Sequence, residues 1–312
     1  MEFKGNVTAV IGKDFAASLG KKGTASDITL YNHKIGETVL AFIDPSGYPD
    51  KIQSLITALG IAESVLLKVT EANAIFAETL VSLDLMGMKN GFIIYGPEVQ
   101  KEQLKNFIAG TVLANYEEIE DQPMVIKEKL AGKVEQKVGD VIVQIDHSFN
   151  VKSVGTVVLG VVKQGKLRKH DELTIYPCKK KAQIRSIQVH DVDVDEAGVG
   201  VRVGLALKNL KPEEVERGAI LVKGEIKIVK EFEATVTLSK YSQKPLKEGD
   251  IITLFSALNY VPAKIVSGSV PVAGTGKVKI QLDRETPVLP NSRVLLMDPG
   301  LKMPRVFGYG TL

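Results

Sequence analysis

Short β-branched apolar runs alternate with helix-period apolar faces through the first 110 residues. Val7–Ile11 stops at Gly12, and Val39–Ile43 stops at Asp44, as buried strands do. After Pro49, the residues Ile52, Leu55, Ile56 and Leu59 fall at i, i+3, i+4 and i+7. They mark one face of a helix that Gly60 is expected to close. A strand over Val65–Val69 follows, then a helix face of Phe76, Leu80 and Leu83. A strand over Phe92–Tyr95 precedes a third face of Leu104, Phe107 and Ile108. This alternation predicts a mainly parallel sheet covered on both faces, with a ligand expected at the ends of its strands.

From Val141 the pattern changes. Val141–Ile145, Gly155–Val162, Glu172–Tyr176 and Ala182–Val189 read as short strands separated by polar, Gly-containing turns. A second set covers Glu231–Leu238, Asp250–Phe255, Tyr260–Val266, Gly276–Leu282 and Arg293–Met297. Strands at this spacing, without helical periodicity between them, predict sandwiches or barrels. Linkers are expected near 122–132 and 222–228. The chain then divides into an α/β domain over 1–125 and two β-rich domains over 130–225 and 226–312.

The chain has 312 residues, 44% hydrophobic and 25% charged, which excludes a disordered or fibrous protein. No run approaches the roughly 20 apolar residues that cross a bilayer. The N-terminus lacks the pattern of a secretory signal, so a cytoplasmic protein is expected. The single cysteine, Cys178, excludes an internal disulfide and any CxxC motif. His33, His147, His170 and His190 are scattered, so no metal site is expected. The net charge of +3 is a cancellation. Residues 1–125 carry 10 Lys+Arg against 16 Asp+Glu, and the rest carry 30 against 21. Any nucleic-acid contact is therefore expected in the back of the chain.

A phosphate-binding loop reads GxxxxGK[ST], because backbone N–H groups cradle phosphates, Lys balances their charge and the hydroxyl holds Mg²⁺. From Gly12 the chain has Ala17 in place of the second Gly, Ser18 in place of Lys and Leu19 in place of the hydroxyl residue. Asp14 adds a negative charge where phosphates would lie. Asp44-Pro-Ser-Gly47 has the DxxG form of GTPases, in which Asp holds Mg²⁺ through water and the Gly N–H senses the γ-phosphate. Asp-Pro-x-Gly is equally an ordinary turn. Lys163, Lys166, Arg168 and Lys169, then Lys179, Lys180, Lys181 and Arg185, cluster in the first β-rich segment. They read as an RNA-facing patch or as solvated hairpin tips and protected edges.

The order of parts resembles translational GTPases. Ser153–Leu173 is similar to the "GTVV-G-V-G-L-GD" core of the second domain of elongation factor Tu. Arg185–His190, Ala197-Gly198, Gly204–Leu207 and Glu216–Leu221 continue that likeness in order. Arg293–Met297 and Arg305–Gly310 resemble the third domain of the selenocysteine-specific elongation factor branch. The resemblance implies a P-loop-GTPase-like α/β domain followed by two elongation-factor-type β-barrels. It also aligns Phe42–Ile52 with "FIDTPGHEDFI", keeping Asp44 and Gly47 but placing Tyr48 where His orients water. Thr29 stands where the Mg²⁺-sensing Thr would be. Tyr95-Gly96-Pro97-Glu98 stands where the guanine-reading NKxD is expected, with only an acid left.

These matches imply a monomeric, elongation-factor-like protein that acts by binding tRNA, the ribosome or another translation factor, without GTP hydrolysis and with no catalytic residue or resident cofactor. One alternative is a working elongation factor that uses GTP and Mg²⁺ at a noncanonical site and delivers aminoacyl-tRNA. Another is a protein-interaction scaffold with no RNA role.

Overall fold

The computed structural model describes residues 3–133 and 137–312. The first sheet contains β1 (Lys4–Ile11), β2 (Lys21–Ala25), β3 (Thr29–Ile35), β4 (Thr38–Asp44), β5 (Ser64–Val69), β6 (Gly91–Tyr95) and β7 (Glu117–Glu118). Their spatial order is β2-β3-β4-β1-β5-β6-β7. The last five of that order run parallel, and β2–β3 is an antiparallel hairpin on the edge at β4. Alternate residues of each buried strand serve opposite faces. Val7, Ala9, Ala41, Ile43, Val65 and Leu67 pack under α1 (Ile52–Ile61), α2 (Ala74–Met86) and α3 (Lys101–Ile108). Val10, Leu40, Phe42, Leu66 and Phe92 pack under α4 (Pro123–Ala131) and the short turn that carries Phe15 and Leu19.

Two expectations change here. Residues 123–131 are a helix, not a linker: Pro123 starts it, and Ile126 and Leu130, one turn apart, are fully buried against β1 and β4. Gly60 lies inside α1 and does not end it. A Cβ at Gly60 would stand 2.7 Å from the Phe255 ring, so the position is small because another domain packs there. On α3, Leu104 is buried but Phe107 is 58% exposed.

The second domain comprises β8 (Ile142–Val151), β9 (Gly155–Gln164), β10 (Leu167–Arg168), β11 (Glu172–Tyr176), β12 (Lys180–Val189), β13 (Val192–Val194), β14 (Glu196–Ala197), β15 (Arg202–Lys208) and β16 (Ile220–Val222). The order β11-β16-β8-β9-β15-β12 closes into a six-strand barrel because β11 also pairs with β12. The third domain comprises β17 (Lys227–Leu238), β18 (Ile251–Ser256), β19 (Asn259–Ser267), β20 (Thr275–Val288), β21 (Val294–Met297) and β22 (Val306–Thr311). It closes in the order β17-β20-β19-β18-β21-β22. Closure removes the free edges that an open sheet would present. The chain is thus an α/β domain followed by two six-strand barrels, and among the described residues no helix is long and apolar enough to cross a membrane.

The second barrel is fastened to the helical face. Phe255, Leu258, Leu295, Met297 and Val306 join the same core as α1 and α2. The Tyr260 hydroxyl donates to the Gln53 carbonyl at 2.8 Å and meets Thr57 Oγ1 at 2.9 Å. Arg293 Nη1 donates to the carbonyls of Asp84 and Leu85 at the end of α2, and its guanidinium lies 3.9 Å over the Tyr309 ring. Arg305 makes the deepest link. Its Nη2 meets Glu78 Oε2 at 2.6 Å, Nε and the backbone N–H bond Glu78 Oε1, and Nη2 and Nη1 reach the carbonyls of Pro49 and Asp50. The two side chains are 9% and 0% exposed.

Arg305→Met should therefore leave a buried, uncompensated carboxylate at Glu78. Urea unfolding should show a loss of about 3–5 kcal/mol. A loss under about 1 kcal/mol, the worth of a surface pair, would mean that this contact does not hold the barrel.

Candidate functional site

The C-terminal ends of β1, β4 and β6 are where a ligand of such a sheet is expected. After β1, residues 12–28 hold a 3-10 turn (Ala16–Ser18) and β2, with no α-helix. The turn consumes its own backbone donors. The Phe15 N–H bonds the Gly12 carbonyl, the Ser18 N–H bonds the Phe15 carbonyl and the Leu19 N–H bonds the Ala16 carbonyl. Ala17 and Ser18 are exposed, whereas Leu19 is fully buried and Phe15 nearly so. Phe15 also lies beneath Lys68, whose Nζ is 4.9 Å from the ring centroid.

Asp44 ends β4 opposite Thr29 in register. Burial, and then the neighbouring Asp14 carboxylate, push the Asp44 carboxyl up to about 6. Thr29 Oγ1 is bonded to Ser46 Oγ at 2.9 Å. The Gly47 N–H is bonded to the Asp27 carbonyl at 3.0 Å, and a Cβ at Gly47 would stand 2.3 Å from Ser54 Oγ. A side chain at Gly47 would therefore crowd Ser54 on α1 and, at 3.3 Å, the Asp27 carbonyl. Tyr48 donates to the Ile75 carbonyl at 2.9 Å and meets Thr79 Oγ1, and burial pushes its hydroxyl well above the usual tyrosine range. At β6, the Gly96 N–H bonds the Val69 carbonyl, Tyr95 lies under Lys101, and Glu98 is exposed.

The barrel cations do not form one patch. Lys163 leaves it altogether: it is 14% exposed and spans to the α/β domain, bonding the Ile61 carbonyl and Glu63 Oε1, each at 2.7 Å. Lys166 pairs with Glu196 at 2.8 Å, and Arg168 lies 3.7 Å from the same carboxylate. Lys169 is exposed beside them. Lys179, Lys180 and Lys181 sit at the other end of β11, a five-residue strand of roughly 16 Å. Lys180 is paired with Glu214, Arg185 Nη1 donates to the Val154 carbonyl, and Lys179 and Lys181 are exposed.

Sequence reasoning passed over a buried charged cluster at the start of the first barrel. Asp146, 1% exposed, takes both Nε and Nη2 of Arg202 at 3.0 and 2.8 Å and meets His147 Nδ1 at 2.6 Å. Burial alone would raise the Asp146 carboxyl, but the Arg202 charge and the His147 hydrogen bond hold it well below the usual carboxylate range. His147 stacks on the half-exposed Phe149. Arg217 Nε reaches the Asp146 carbonyl, while its Nη1 bridges to Asp27 in the α/β domain at 2.8 Å. The adjacent Asp146-His147 pair inside an otherwise apolar strand start was the available signal.

Three comparisons bear on this architecture. Residues 155–222 match the family described as Elongation factor Tu domain 2. The uncharacterized protein MJ0325 of Methanocaldococcus jannaschii is 39% identical over 304 residues, covering 97% of this chain and 96% of its own. The selenocysteine-specific elongation factor of the same organism is 27% identical, with 79% of this chain and 58% of the relative aligned. The solved structure of translation elongation factor SelB from Methanococcus maripaludis, in complex with the GTP analogue GPPNHP, superposes with a TM-score of 0.81 at 22% identity, covering 99% of this chain and 79% of that one. Taken with the α/β domain and two closed barrels in that order, these matches mean that the chain belongs to the translational GTPase family, in its SelB-like group, and shares nearly its whole length with MJ0325.

Proposed function

We propose that the chain is an elongation-factor-like protein of the cytoplasm that works by binding tRNA, the ribosome or another translation factor and does not hydrolyse GTP. The observation that carries this reading is the segment 12–28. It holds a self-bonded 3-10 turn and a hairpin where a phosphate loop and its helix would stand. A GTP–Mg²⁺ pair does not fit the groups at the strand ends. Ser18 supplies no cation, Leu19 is buried, Gly47 spends its N–H on Asp27, and Asp14 repels anions beside Asp44. Phosphoryl transfer depends on positioned charge at the transferred group, and those charges are missing here. The fold does not suffer, because the strands and helix faces that build it pack without any phosphate contact.

Binding falls to the barrels. Lys169, Lys179 and Lys181 are among the exposed cations of the first barrel, and RNA binding by such groups is driven by counterion release.

Calorimetric titration of the full chain with GTP and GDP in the presence of Mg²⁺ should give no binding at micromolar concentrations. Tight binding would instead support the working GTP-binding factor. Asp44→Asn gives a second check. The folded-state value of about 6 lies above the ordinary 3.8, so the folded chain keeps a proton that the unfolded chain loses across pH 4 to 6. Stability therefore falls as pH rises through that window, and the cost is fully present above it. The asparagine variant should be more stable by about 1 kcal/mol at pH 8, after allowing for solvent screening, and unchanged at pH 4. A destabilised variant at pH 8 would point to a required carboxylate. Finally, Lys169→Glu combined with Lys179→Glu and Lys181→Glu should weaken tRNA retention and lower the salt slope by about 1 per lost phosphate contact. Unchanged retention would favour the protein scaffold.

A further inference from the structure

We propose that the outer edge of β2 is a docking strip for an extended acidic segment of a partner protein, which adds to the first sheet as a further strand. β2 stands at the end of the sheet order, so one side of it pairs with β3 and the other meets no strand. Among the described residues no hydrogen bond takes up its outward backbone groups, and Lys21, Lys22, Gly23 and Ala25 are exposed. Such an edge is a row of alternating donors and acceptors, roughly 16 Å long for five residues.

The edge borders a groove of about 350 Å³ whose opposite wall is the outer face of the first barrel, with Gln188, Arg202 and Gly204. That wall does not satisfy the edge, because β9, β15 and β12 already pair with one another there. Gly204 is a second, independent observation. A Cβ at Gly204 would meet Leu159 Cδ2 at 3.4 Å and Gln188 Cβ at 3.9 Å, which are ordinary contacts, and its φ is not positive. The barrel's own packing therefore does not require a glycine at this place. A glycine within a strand often marks where another backbone comes close.

Charge selects the occupant. Every charged side chain of β2 is a lysine, and neither Lys21 nor Lys22 has an ion-pair partner among the described residues. Arg202 across the groove is neutralised by Asp146. Lysines and the bulge between Lys22 and Ala25 guard the edge against a second copy of the chain, since like charges would then face each other. They do not guard it against carboxylates. A polynucleotide fits less well, because its phosphodiester backbone has no donors for the β2 carbonyls, and Asp191 in the groove lining repels it. An extended peptide matches the edge in donors, acceptors and spacing, while its acidic side chains meet the two lysines.

The test uses the full chain at low ionic strength and a short fluorescein-labelled peptide alternating Glu and Thr. Anisotropy should rise saturably, and amide exchange at residues 21–25 should slow in the complex. Lys21→Glu combined with Lys22→Glu, at two exposed positions, should weaken the Kd about 10-fold. Gly204→Val should narrow the groove and weaken binding without lowering the melting temperature, since a β-branched residue suits a strand. A peptide methylated on its backbone nitrogens keeps its charge but cannot pair, and it should not bind. No saturable binding, unslowed exchange at residues 21–25, or equal affinity for the methylated peptide or for a Lys-for-Glu peptide would each overturn the proposal. Displacement of the peptide by oligouridylate, with no slowing of exchange, would overturn it in favour of a phosphate strip. None of these residues takes part in the GTP and tRNA measurements above, so the two readings stand or fall separately.

Discussion

Arg305 has to satisfy one carboxylate and two backbone carbonyls at the same time, out of water. Moving a guanidinium from solvent costs several kcal/mol, and only near-complete hydrogen bonding offsets that. Glu78 supplies two oxygens from α2, and Pro49 and Asp50 supply carbonyls from the segment entering α1. These acceptors belong to two separate elements, so the guanidinium fixes their spacing as well as the seat of the second barrel. The surrounding contacts follow from that seat: Phe255 packs on Gly60, Tyr260 reaches the first turns of α1, and Arg293 takes the last carbonyls of α2. A net charge near zero conceals the arrangement, because the acidic α/β domain receives cations from both barrels: Arg305 and Arg293 from one, Lys163 and Arg217 from the other.

The fold was legible where burial on both sides leaves an unbroken apolar run, as in Val7–Ile11 and Phe92–Tyr95, or where a helix shows one face, as in Ile52–Leu59. It was less legible where neither condition holds. Along the hairpin β2–β3 the residues are mostly exposed or half-buried, so no run or alternation announces it. α4 has only two fully buried side chains, and its polar length reads as a connection. Gly60 read as a stop because a glycine near a helix end usually is one; the reason for it lies on another domain, which no local window contains.

The candidate site was legible as chemistry missing from motifs, and less so as contacts. Ala17, Ser18 and Leu19 can be compared with a phosphate loop letter by letter, but only coordinates reveal that Gly47 gives its N–H to Asp27. Lys163 shows the same limit in the other direction. As a letter it belonged with Lys166 and Lys169, yet strand β9 ends at the domain junction and turns it toward Glu63. Charge clusters in sequence mark where cations are, and their partners decide which remain available to a phosphate.

Surviving letters of a motif need not preserve its work. Gly47 is the residue that a nucleotide switch would require, and it is also the residue that Ser54 on α1 leaves room for. Asp44 is the residue that would hold a metal ion, yet burial, and then the neighbouring Asp14, raise its carboxyl toward neutrality. A segment that senses a γ-phosphate has to change partners when the phosphate leaves. Here residues 47–50 are tied on one side to Asp27, itself held by Arg217 of the first barrel, and on the other to Arg305 of the second. Releasing them would break the Gly47–Asp27 hydrogen bond and leave the buried Arg305 guanidinium without two of its acceptors, more than a single hydrogen bond to a phosphate returns. On the proposed reading, this segment serves as the joint that holds both barrels in register, a role that preserves the motif's glycine for reasons of space.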